Sequence, residues 1–282
     1  MESLQGKFES LRAEYPVFVY RLFEYGKAGK SFYCKFQFAV CDAEGKEIHV
    51  FRPCLSFPMR DFYHIGRIPE KELRKLVFHC GMMELVSYWK CVCSPWVRIE
   101  CGYLDEVQMA WFRKLYFNGL GEFFYLNGIE TDLNSSMQME CCPVEDGRLL
   151  YAAETASDLK KVGSGKRMDV SKRPGICFSD GLLVPVGGGK DSVVTLEILK
   201  EKHRGTLIPM VVNSRGATRT CCMQAGFEDE DCVLVNRTID PHLLELNAQG
   251  YLNGHTPFSA MLAFVTLLAS AFTGYRHIAL SN

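Results

Sequence analysis

Apolar and polar residues alternate along the first part of the chain, from Tyr15 to Pro58. A period of two is typical of a strand with one buried face. The clearest run spans Ser31–Val40 and puts four residues on one such face: Phe32, Cys34, Phe36 and Phe38. Turn-forming residues over Asp42–Lys46 separate this run from a second strand-like stretch, Ile48–Phe51. The pattern therefore predicts an antiparallel hairpin system.

Two helices are predicted after these strands, because apolar residues recur at helical spacing. The first covers Pro69–Tyr88 and begins with Pro-Glu-Lys-Glu, a composition suited to a first helical turn. The second covers Asp105–Asn127, where Gly119 and Gly121 are expected to break or bend it. We interpret the many aromatic residues of this second helix as core packing.

From Asp180 onward, strand-like and helix-like stretches follow each other in turn. Predicted strands cover Leu182–Val186, Thr206–Val212, Cys232–Asn236 and His277–Leu280, and predicted helices cover Val193–Lys202, Ala217–Ala225, Pro241–Gln249 and Pro257–Thr273. This alternation predicts an α/β fold with a parallel sheet covered on both faces. Ligands of such sheets bind at the carboxyl ends of the strands. Three segments lie there: the glycines after Val186, Asn213–Ser214 and Ser281–Asn282.

The change of pattern divides the chain into three parts. Residues 1–150 are expected to form an N-terminal α+β domain of hairpins and helices, and residues 180–282 an α/β domain. Residues 151–179 lack a periodic pattern and are interpreted as a linker or mobile loop. They carry a basic cluster, which is either a solvated face or a lid that faces phosphates: Lys160, Lys161, Lys166, Arg167, Lys172 and Arg173.

Composition then narrows the functional classes. The chain has 282 residues and a net charge of −1, so it lacks the broad basic field that attracts nucleic acid or an anionic membrane. Its polar N-terminus, Met1–Glu14, is not a signal peptide. The longest apolar run, Phe258–Phe272, is shorter than the ~20 residues of a membrane span. The 13 cysteines form no Cys-x-x-Cys pair, so we expect reduced thiols and a cytoplasmic location rather than disulfides or a zinc site.

The strongest chemical signal is the segment Gly187–Ser192, with the sequence Gly-Gly-Gly-Lys-Asp-Ser between a predicted strand and a predicted helix. A glycine turn there exposes backbone N–H groups, and the following helix presents its positive end to an anion. The turn is not a Walker A loop, because Asp191 separates Lys190 from Ser192 and Val184 stands where that motif has a glycine. The alternative is a tight turn in which glycine serves geometry alone.

The segment resembles the Ser-Gly-Gly-x-Asp-Ser loop of the PP-loop ATP pyrophosphatases, with Gly187 in place of the leading serine. The resemblance implies a parallel sheet of that type, which binds ATP and Mg²⁺. It implies that the amides of Gly188 and Gly189 cradle the β and γ phosphates. Ser192 would add a hydrogen bond, Asp191 would hold Mg²⁺, and Lys190 would balance charge.

A second segment, Glu245–Pro257, precedes the long apolar helix. Thr256 and Pro257 fit the N-cap and first helical position of that helix, which accounts for both. Asn253 and His255 have no such explanation. His255 is either a structural histidine or a site residue, and an imidazole that titrates near neutral pH suits proton transfer.

Taken together, several stretches resemble the UDP-N-acetyl-α-D-muramoyl-L-alanyl-L-glutamate epimerases of bacterial peptidoglycan synthesis. They follow in order: Ser87–Lys90, Leu115–Phe123, Val184–Ser192, Leu244–Asn247, Asn253–Pro257 and Ser281–Asn282. The resemblance covers roughly residues 73–282. Members of that family continue well beyond the serine-asparagine pair, so the resemblance implies that this chain is truncated at its C-terminus.

The reaction that the family carries out is implied as follows. ATP adenylates the carboxylate of the terminal L-Glu, an α-proton is removed and returned on the other face, and hydrolysis gives the D-Glu product, AMP and pyrophosphate. His255 is the first candidate for the base, and Cys221 or Cys222 a distant second. Residues expected to contact the nucleotide or the UDP-N-acetylmuramoyl-dipeptide are Asn213, Ser214, Arg215, Arg219, Asn253, Lys172 and Arg173.

Two alternative functions would use the same glycine loop to bind a nucleotide. One is another PP-loop adenylating enzyme that amidates or thiolates a different acceptor. The other is a nucleotide-binding module without catalysis. A kinase is disfavoured because the Walker lysine-serine pair is absent.

Overall fold

The computed structural model of the protein describes residues 3–142, 175–203 and 205–281. Within them, ten strands form one mixed sheet: β1 (Val17–Ala28), β2 (Ser31–Cys41), β3 (Glu47–Phe51), β4 (Cys54–Pro58), β5 (Trp96–Ile99), β6 (Gln138–Cys141), β7 (Ser179–Pro185), β8 (Leu207–Val212), β9 (Val233–Thr238) and β10 (Tyr275–Ile278). The α-helices of the same residues are α1 (Leu4–Glu14), α2 (Glu70–Trp89), α3 (Glu106–Gly119), α4 (Gly121–Leu126), α5 (Leu133–Ser136), α6 (Lys190–Lys202), α7 (Gly216–Gln224), α8 (Pro241–Ala248) and α9 (Phe258–Thr273). The fold is therefore mixed α/β.

The antiparallel half confirms the predicted hairpins. Strand β2 pairs with β1 on one side and with β3 and β4 on the other. The face predicted from the alternation of Ser31–Val40 is the buried one, since Phe32, Cys34, Phe36 and Phe38 are all inside the core. Helix α2 covers this half, and the ring of Phe78 stacks on that of Tyr20 with centroids 5.7 Å apart.

The parallel half also matches the prediction. Strands β10, β7, β8 and β9 lie side by side and parallel in that order. Leu182 and Val184 of β7 join a small core with Leu196 of α6, whereas Leu183 joins the main core with Leu268 of α9. Because neighbouring residues of a strand face opposite sides, the sheet carries helices on both faces.

One strand pairing joins the two halves. Strand β4 lies antiparallel to β9, with Leu55 opposite Arg237. The expected parallel sheet is thus one part of a larger mixed sheet, and the main core holds residues from both parts. The domain boundaries at 150 and 180 remain a prediction, and most of the predicted linker, with its basic cluster, lies outside the described residues.

Helix boundaries were predicted to within one residue, except that α6 begins at Lys190, three residues before the predicted Val193. Gly189 serves as its N-cap, and Asp191 suits the positive first turn. The aromatic helix breaks between Gly119 and Gly121, as expected, and Asp105 caps its start by accepting the amide hydrogen of Gln108 at 2.8 Å. Helix α9, however, begins at Phe258, with Pro257 as its N-cap, so the predicted cap at Thr256 was wrong by one position. The ψ angle of Pro257 is 72°, outside the helical range, which excludes it from the helix.

Two expectations drawn from the composition concern the cysteines and membrane-spanning helices. All 13 cysteines are free thiols. No helix of the described residues is both long and apolar enough to cross a bilayer. The cytoplasmic location stays a prediction.

A chain of polar rings ties the end of α1 to β3 and α8. His49 Nδ1 lies 3.0 Å from His242 Nε2, and His242 Nδ1 lies 3.0 Å from a carboxylate oxygen of Glu245. On the other side, the hydroxyl of Tyr251 lies 3.4 Å from His49 Nε2 and 3.0 Å from the hydroxyl of Tyr15. Burial, and next the neighbouring His242, lower the pKa of His49 below its ordinary value of 6.5.

We predict that acid destabilises the fold through this histidine. Below pH 6.5 the unfolded chain takes up the proton before the folded chain does, so the free energy of unfolding falls as the pH falls. Urea unfolding should show lower stability at pH 5.5 than at pH 7.5. His49→Gln should narrow this difference, whereas His203→Gln, at an exposed position, should not. An equal pH response in His49→Gln and the unmodified protein would contradict the assignment.

Candidate functional site

The glycine turn lies at the carboxyl end of β7, directly before α6. Gly188 has φ +86°, and a Cβ added there would lie 3.0 Å from the Thr218 amide nitrogen. Only glycine meets both conditions without strain. A Cβ on Gly189 would meet nothing within 4 Å, and one on Gly187 would meet only Ser192 Oγ at 3.6 Å. Turn geometry therefore explains one glycine of the three and leaves the other two unexplained.

Hydrogen-bond donors at the turn are unused. The hydroxyl of Ser192 accepts the amide hydrogen of Gly187 at 2.9 Å, which leaves its own hydrogen free to donate. The amides of Gly188 and Gly189 donate to no atom of the described residues. The first amides of α6 have no partner within the helix either. The turn thus presents several N–H groups and one hydroxyl in the same place.

Lys190 and Asp191 are the first two residues of α6, directly after the turn. Their side chains are 86% and 47% exposed and contact each other, Nζ to Oδ1, at 2.5 Å. An exposed pair of this kind contributes little to stability. Both groups are therefore available to a ligand. The carboxylate of Asp191 is also stabilised by the positive N-terminal end of α6.

A cleft of about 430 Å³ opens beside the turn at the carboxyl ends of the parallel strands. Most of its lining is apolar, and no carboxylate of the described residues lines it. The lining residues are Pro185, Val186, Gly187, Met210, Val212, Asn213, Arg215, Thr218, Arg237, Ile239, Phe258, Leu262, Leu280 and Ser281. The hydroxyl of Ser281 is buried and has no hydrogen-bond partner among the described residues. We call this space the first cleft.

Two predicted residues, Asn213 and Arg215, line the first cleft together with Gly187. Asn213 has φ +49°, and its side chain accepts from the amide of Arg237 at 2.6 Å and donates to the carbonyl of Arg237 at 3.1 Å. Its amide group therefore joins the ends of β8 and β9. Ser214 follows on the surface, and the backbone amide of Arg215 donates to Thr218 Oγ1 at 2.9 Å.

Arg237 is a residue of the first cleft that the sequence reasoning missed. Its Nε and Nη2 atoms donate to the two carboxylate oxygens of Glu84 at 2.6 and 2.9 Å, and Nη2 also lies 3.1 Å from the hydroxyl of Ser87. The Glu84 side chain is 1% exposed. The carboxylate of Glu84 outweighs burial and raises the pKa of Arg237 above its ordinary value. The available signal was Glu84 itself, a carboxylate inside an apolar helical stretch, since a buried charge requires a partner.

The second predicted segment lines a separate hollow of about 740 Å³, which we call the second cleft. His255 is 84% exposed there, and its Nδ1 atom lies 3.2 Å from a carboxylate oxygen of Glu122. Glu122 was also missed, because it lies 133 residues away in the sequence. Phe258 lines both clefts, so they are neighbours.

Other predicted residues lie away from the clefts. Arg219 forms an ion pair with Asp229 at 3.1 Å. Cys222 is buried in the small core, and Cys221 packs partly buried against it. Lys172 and Arg173 lie outside the described residues.

Comparison with known proteins identifies relatives of this chain. A family model described as the MurL N-terminal domain matches residues 9–282. The chain is 29% identical to a UDP-N-acetyl-α-D-muramoyl-L-alanyl-L-glutamate epimerase of Xanthomonas oryzae pv. oryzae and 36% identical to one of Salinispora tropica. Each alignment spans 197 residues, which is 70% of this chain but only 37% and 36% of those relatives. The match thus covers little over a third of their length. No solved structure gives a significant match.

We predict that Glu84→Gln strongly destabilises the protein, because it leaves the buried guanidinium of Arg237 without a counter-charge. Removal of one partner of a buried pair costs about 3–5 kcal/mol. Glu197→Gln is the matched control, since Glu197 pairs with Lys200 at 2.9 Å but is 46% exposed. There we expect a change of about 0.5 kcal/mol or less. Urea unfolding measures both, and similar values would show that burial of the first pair is unimportant.

Proposed function

Because the chain belongs to the MurL N-terminal domain family, we propose that it binds ATP for the epimerisation of a peptidoglycan precursor. The substrate is UDP-N-acetylmuramoyl-L-Ala-L-Glu, whose terminal L-Glu is converted to D-Glu through adenylation of its carboxylate. The relatives carry this substrate in their name. Since the match covers little over a third of them, the activity of the whole protein is part of the proposal.

One observation supports ATP most directly: the turn has two glycines more than its geometry requires, and the amides of Gly188 and Gly189 are unused. Gly187 and Gly189 have neither a positive φ nor a close neighbour that excludes a side chain. Glycine at such positions allows a bulky anion to approach the backbone. The amides of Gly188 and Gly189, with the hydroxyl of Ser192, then supply donors for phosphate oxygens. In this interpretation β7, the turn and α6 form a PP-loop.

The first cleft fits the rest of a nucleotide. Its apolar lining suits a nucleobase, Arg215 can attract an anion, and the unpartnered hydroxyl of Ser281 can bond to a polar group. Mg²⁺ would be held by the carboxylate of Asp191 together with phosphate oxygens and water, a donor set that this ion prefers. Bound there, it would neutralise charge on the phosphates. The described residues offer no cluster of three or more acidic, histidine or cysteine side chains as a separate metal site.

The chemistry explains why an epimerase needs ATP. Removal of the α-proton next to an ionised carboxylate would place a second negative charge beside the first. In adenylation, a carboxylate oxygen attacks the α-phosphorus and pyrophosphate leaves, so the new carbonyl can accept the electron pair as an enolate. The charged and hydrogen-bonding groups of the turn stabilise the departing pyrophosphate. Hydrolysis of the acyl adenylate then gives AMP and the D-Glu product.

For the proton transfer we propose His255. Glu122 contacts its Nδ1 atom, which favours the tautomer with an unprotonated Nε2. That nitrogen can accept the α-proton at the mouth of the second cleft. Return of a proton to the opposite face requires a second group, which is not assigned.

A nucleotide-binding module without catalysis is the second candidate. The observation that favours it is that Gly187 of the turn lines the first cleft, whereas His255, the proposed base, lines the second. The two candidates share the turn and differ in whether substrate reacts.

We predict that two neighbouring substitutions in the turn affect different properties, the first mainly stability and the second mainly ATP binding. Gly188→Ala should destabilise the fold by about 1–2 kcal/mol, because its φ angle is positive and Thr218 is close. Gly189→Ala should cost about 1 kcal/mol or less and yet weaken ATP binding roughly tenfold, equal to about 1.4 kcal/mol. Thermal unfolding and ATP titration measure the two effects. Unchanged ATP affinity in Gly189→Ala would assign all three glycines to turn geometry.

The decisive experiment for the activity follows solvent deuterium into the terminal glutamate of UDP-N-acetylmuramoyl-L-Ala-L-Glu. We expect incorporation that requires ATP, with AMP and pyrophosphate as products, and we expect Asp191→Asn to abolish it without unfolding the protein. ADP as the product would defeat the adenylation mechanism. ATP binding without incorporation would favour the binding module, and pyrophosphate release without incorporation would favour amidation or thiolation.

A further inference from the structure

The segment Asn253–Pro257 carries His255 but has no helix or strand to hold it. Its support comes from the end of α2, where Lys90 forms the C-cap. The ammonium group of Lys90 donates to Asn253 Oδ1 at 3.1 Å and to the carbonyl oxygen of Gly254. Asn253 Oδ1 also accepts the amide hydrogen of Gly254 at 2.8 Å. One cation therefore binds both residues that precede His255.

Lys90 is buried without a carboxylate partner. It is 7% exposed, and no acidic group of the described residues lies within ion-pair distance of its Nζ atom. A buried ammonium group requires compensation, and here oxygen atoms of the segment supply it. Burial lowers the pKa of Lys90 below its ordinary value of 10.5. The charge of Lys90 and the backbone path of the segment Asn253–Pro257 therefore depend on each other.

Packing restricts the same segment from the other side. Asn127 donates to the carbonyl oxygen of Asn253 at 2.9 Å. A Cβ on Gly119 would lie 2.6 Å from Pro257, and one on Gly254 would lie 3.0 Å from the ring of Phe123. The segment therefore lies tightly against the junction of α3 and α4, which also carries Glu122. Lys90 sets where it enters this contact.

We propose that Lys90 is a positioning residue: its ammonium group fixes the backbone at Asn253 and Gly254 and so places His255 beside Glu122 at the second cleft. The role in catalysis rests on the proposed epimerisation. The structural part of the inference does not, because it concerns only the path of the segment.

Lys90→Met separates charge from packing. Methionine fills similar space but leaves the side chain of Asn253 and the carbonyl of Gly254 without their cation, so both turn towards water. We expect the amide of Gly254, which donates to Asn253 Oδ1 in the intact segment, to exchange hydrogen at least tenfold faster. ATP affinity should change less than twofold, because the turn lies at the first cleft. Lys114→Met, at an exposed position of α3, is the matched control and should change neither.

Two further readouts distinguish positioning from general stability. In the NMR spectrum, the ring signals of His255 should shift in alkaline solution as Lys90 loses its proton, and this transition should be absent in Lys90→Arg, whose guanidinium keeps its charge. In a deuterium-incorporation assay, Lys90→Met should lower kcat at least tenfold at unchanged KM for ATP. If Lys90→Met does not fold, Lys90→Gln, which also removes the charge, replaces it in the exchange and kinetic measurements.

The outcomes separate the two proposals. If the unmodified protein incorporates no deuterium, the proposed function fails. Hydrogen exchange then still tests whether Lys90 fixes the backbone of the segment. Exchange at the amide of Gly254 in Lys90→Met that equals that of the unmodified protein, or an alkaline transition that persists in Lys90→Arg, would overturn the role of Lys90.

Discussion

The buried ion pair between Arg237 and Glu84 is the constraint on which the candidate site depends. Replacing both partners of such a pair by apolar residues is often neutral or stabilising, so its presence is weak evidence for stability. Its geometric effect is specific. It fixes the end of β9 to the C-terminal half of α2, and the side chain of Asn213 continues the connection to the end of β8. The lining of the first cleft therefore depends on a helix that precedes it by some 150 residues.

The same helix supports both clefts. Glu84 lies inside α2 and reaches the first cleft through Arg237, and Lys90 lies at the end of α2 and reaches the second cleft through Asn253. The two contacts are separated by less than two helical turns. The antiparallel half of the fold thus does more than cover the sheet, because it places the polar groups of both clefts relative to each other.

Local patterns predicted most of the elements and few of the connections between them. Alternation identified β2, and the strand-helix order from Asp180 onward identified the parallel strands, because each depends on neighbouring residues. The pairing of β4 with β9 leaves no local trace, since any strand with a free edge could accept either partner. The start of α9 was misplaced because a proline fits the first helical position and the N-cap alike.

Within the candidate site, the sequence predicted the glycine turn but not the site residues whose roles depend on distant parts of the chain. A dense motif such as Gly187–Ser192 is visible in the sequence, whereas the roles of Arg237, Glu122 and Lys90 depend on contacts with residues far away along the chain. The structure also divides the predicted polar residues. Asn213 uses its side chain on the backbone of Arg237, and Arg219 pairs with Asp229, while Arg215 lines the first cleft. Family membership agrees with the resemblance, and the assignment of individual residues remains for experiment.

Phe258 belongs to the walls of both clefts and is half exposed. A molecule that displaced Phe258 from one cleft would also change the space in the other, so binding in the two clefts would be linked through this one residue. Such linkage is reciprocal by thermodynamic necessity. If binding in one cleft changes the affinity of the other cleft by some factor, binding in the second cleft changes the affinity of the first by the same factor.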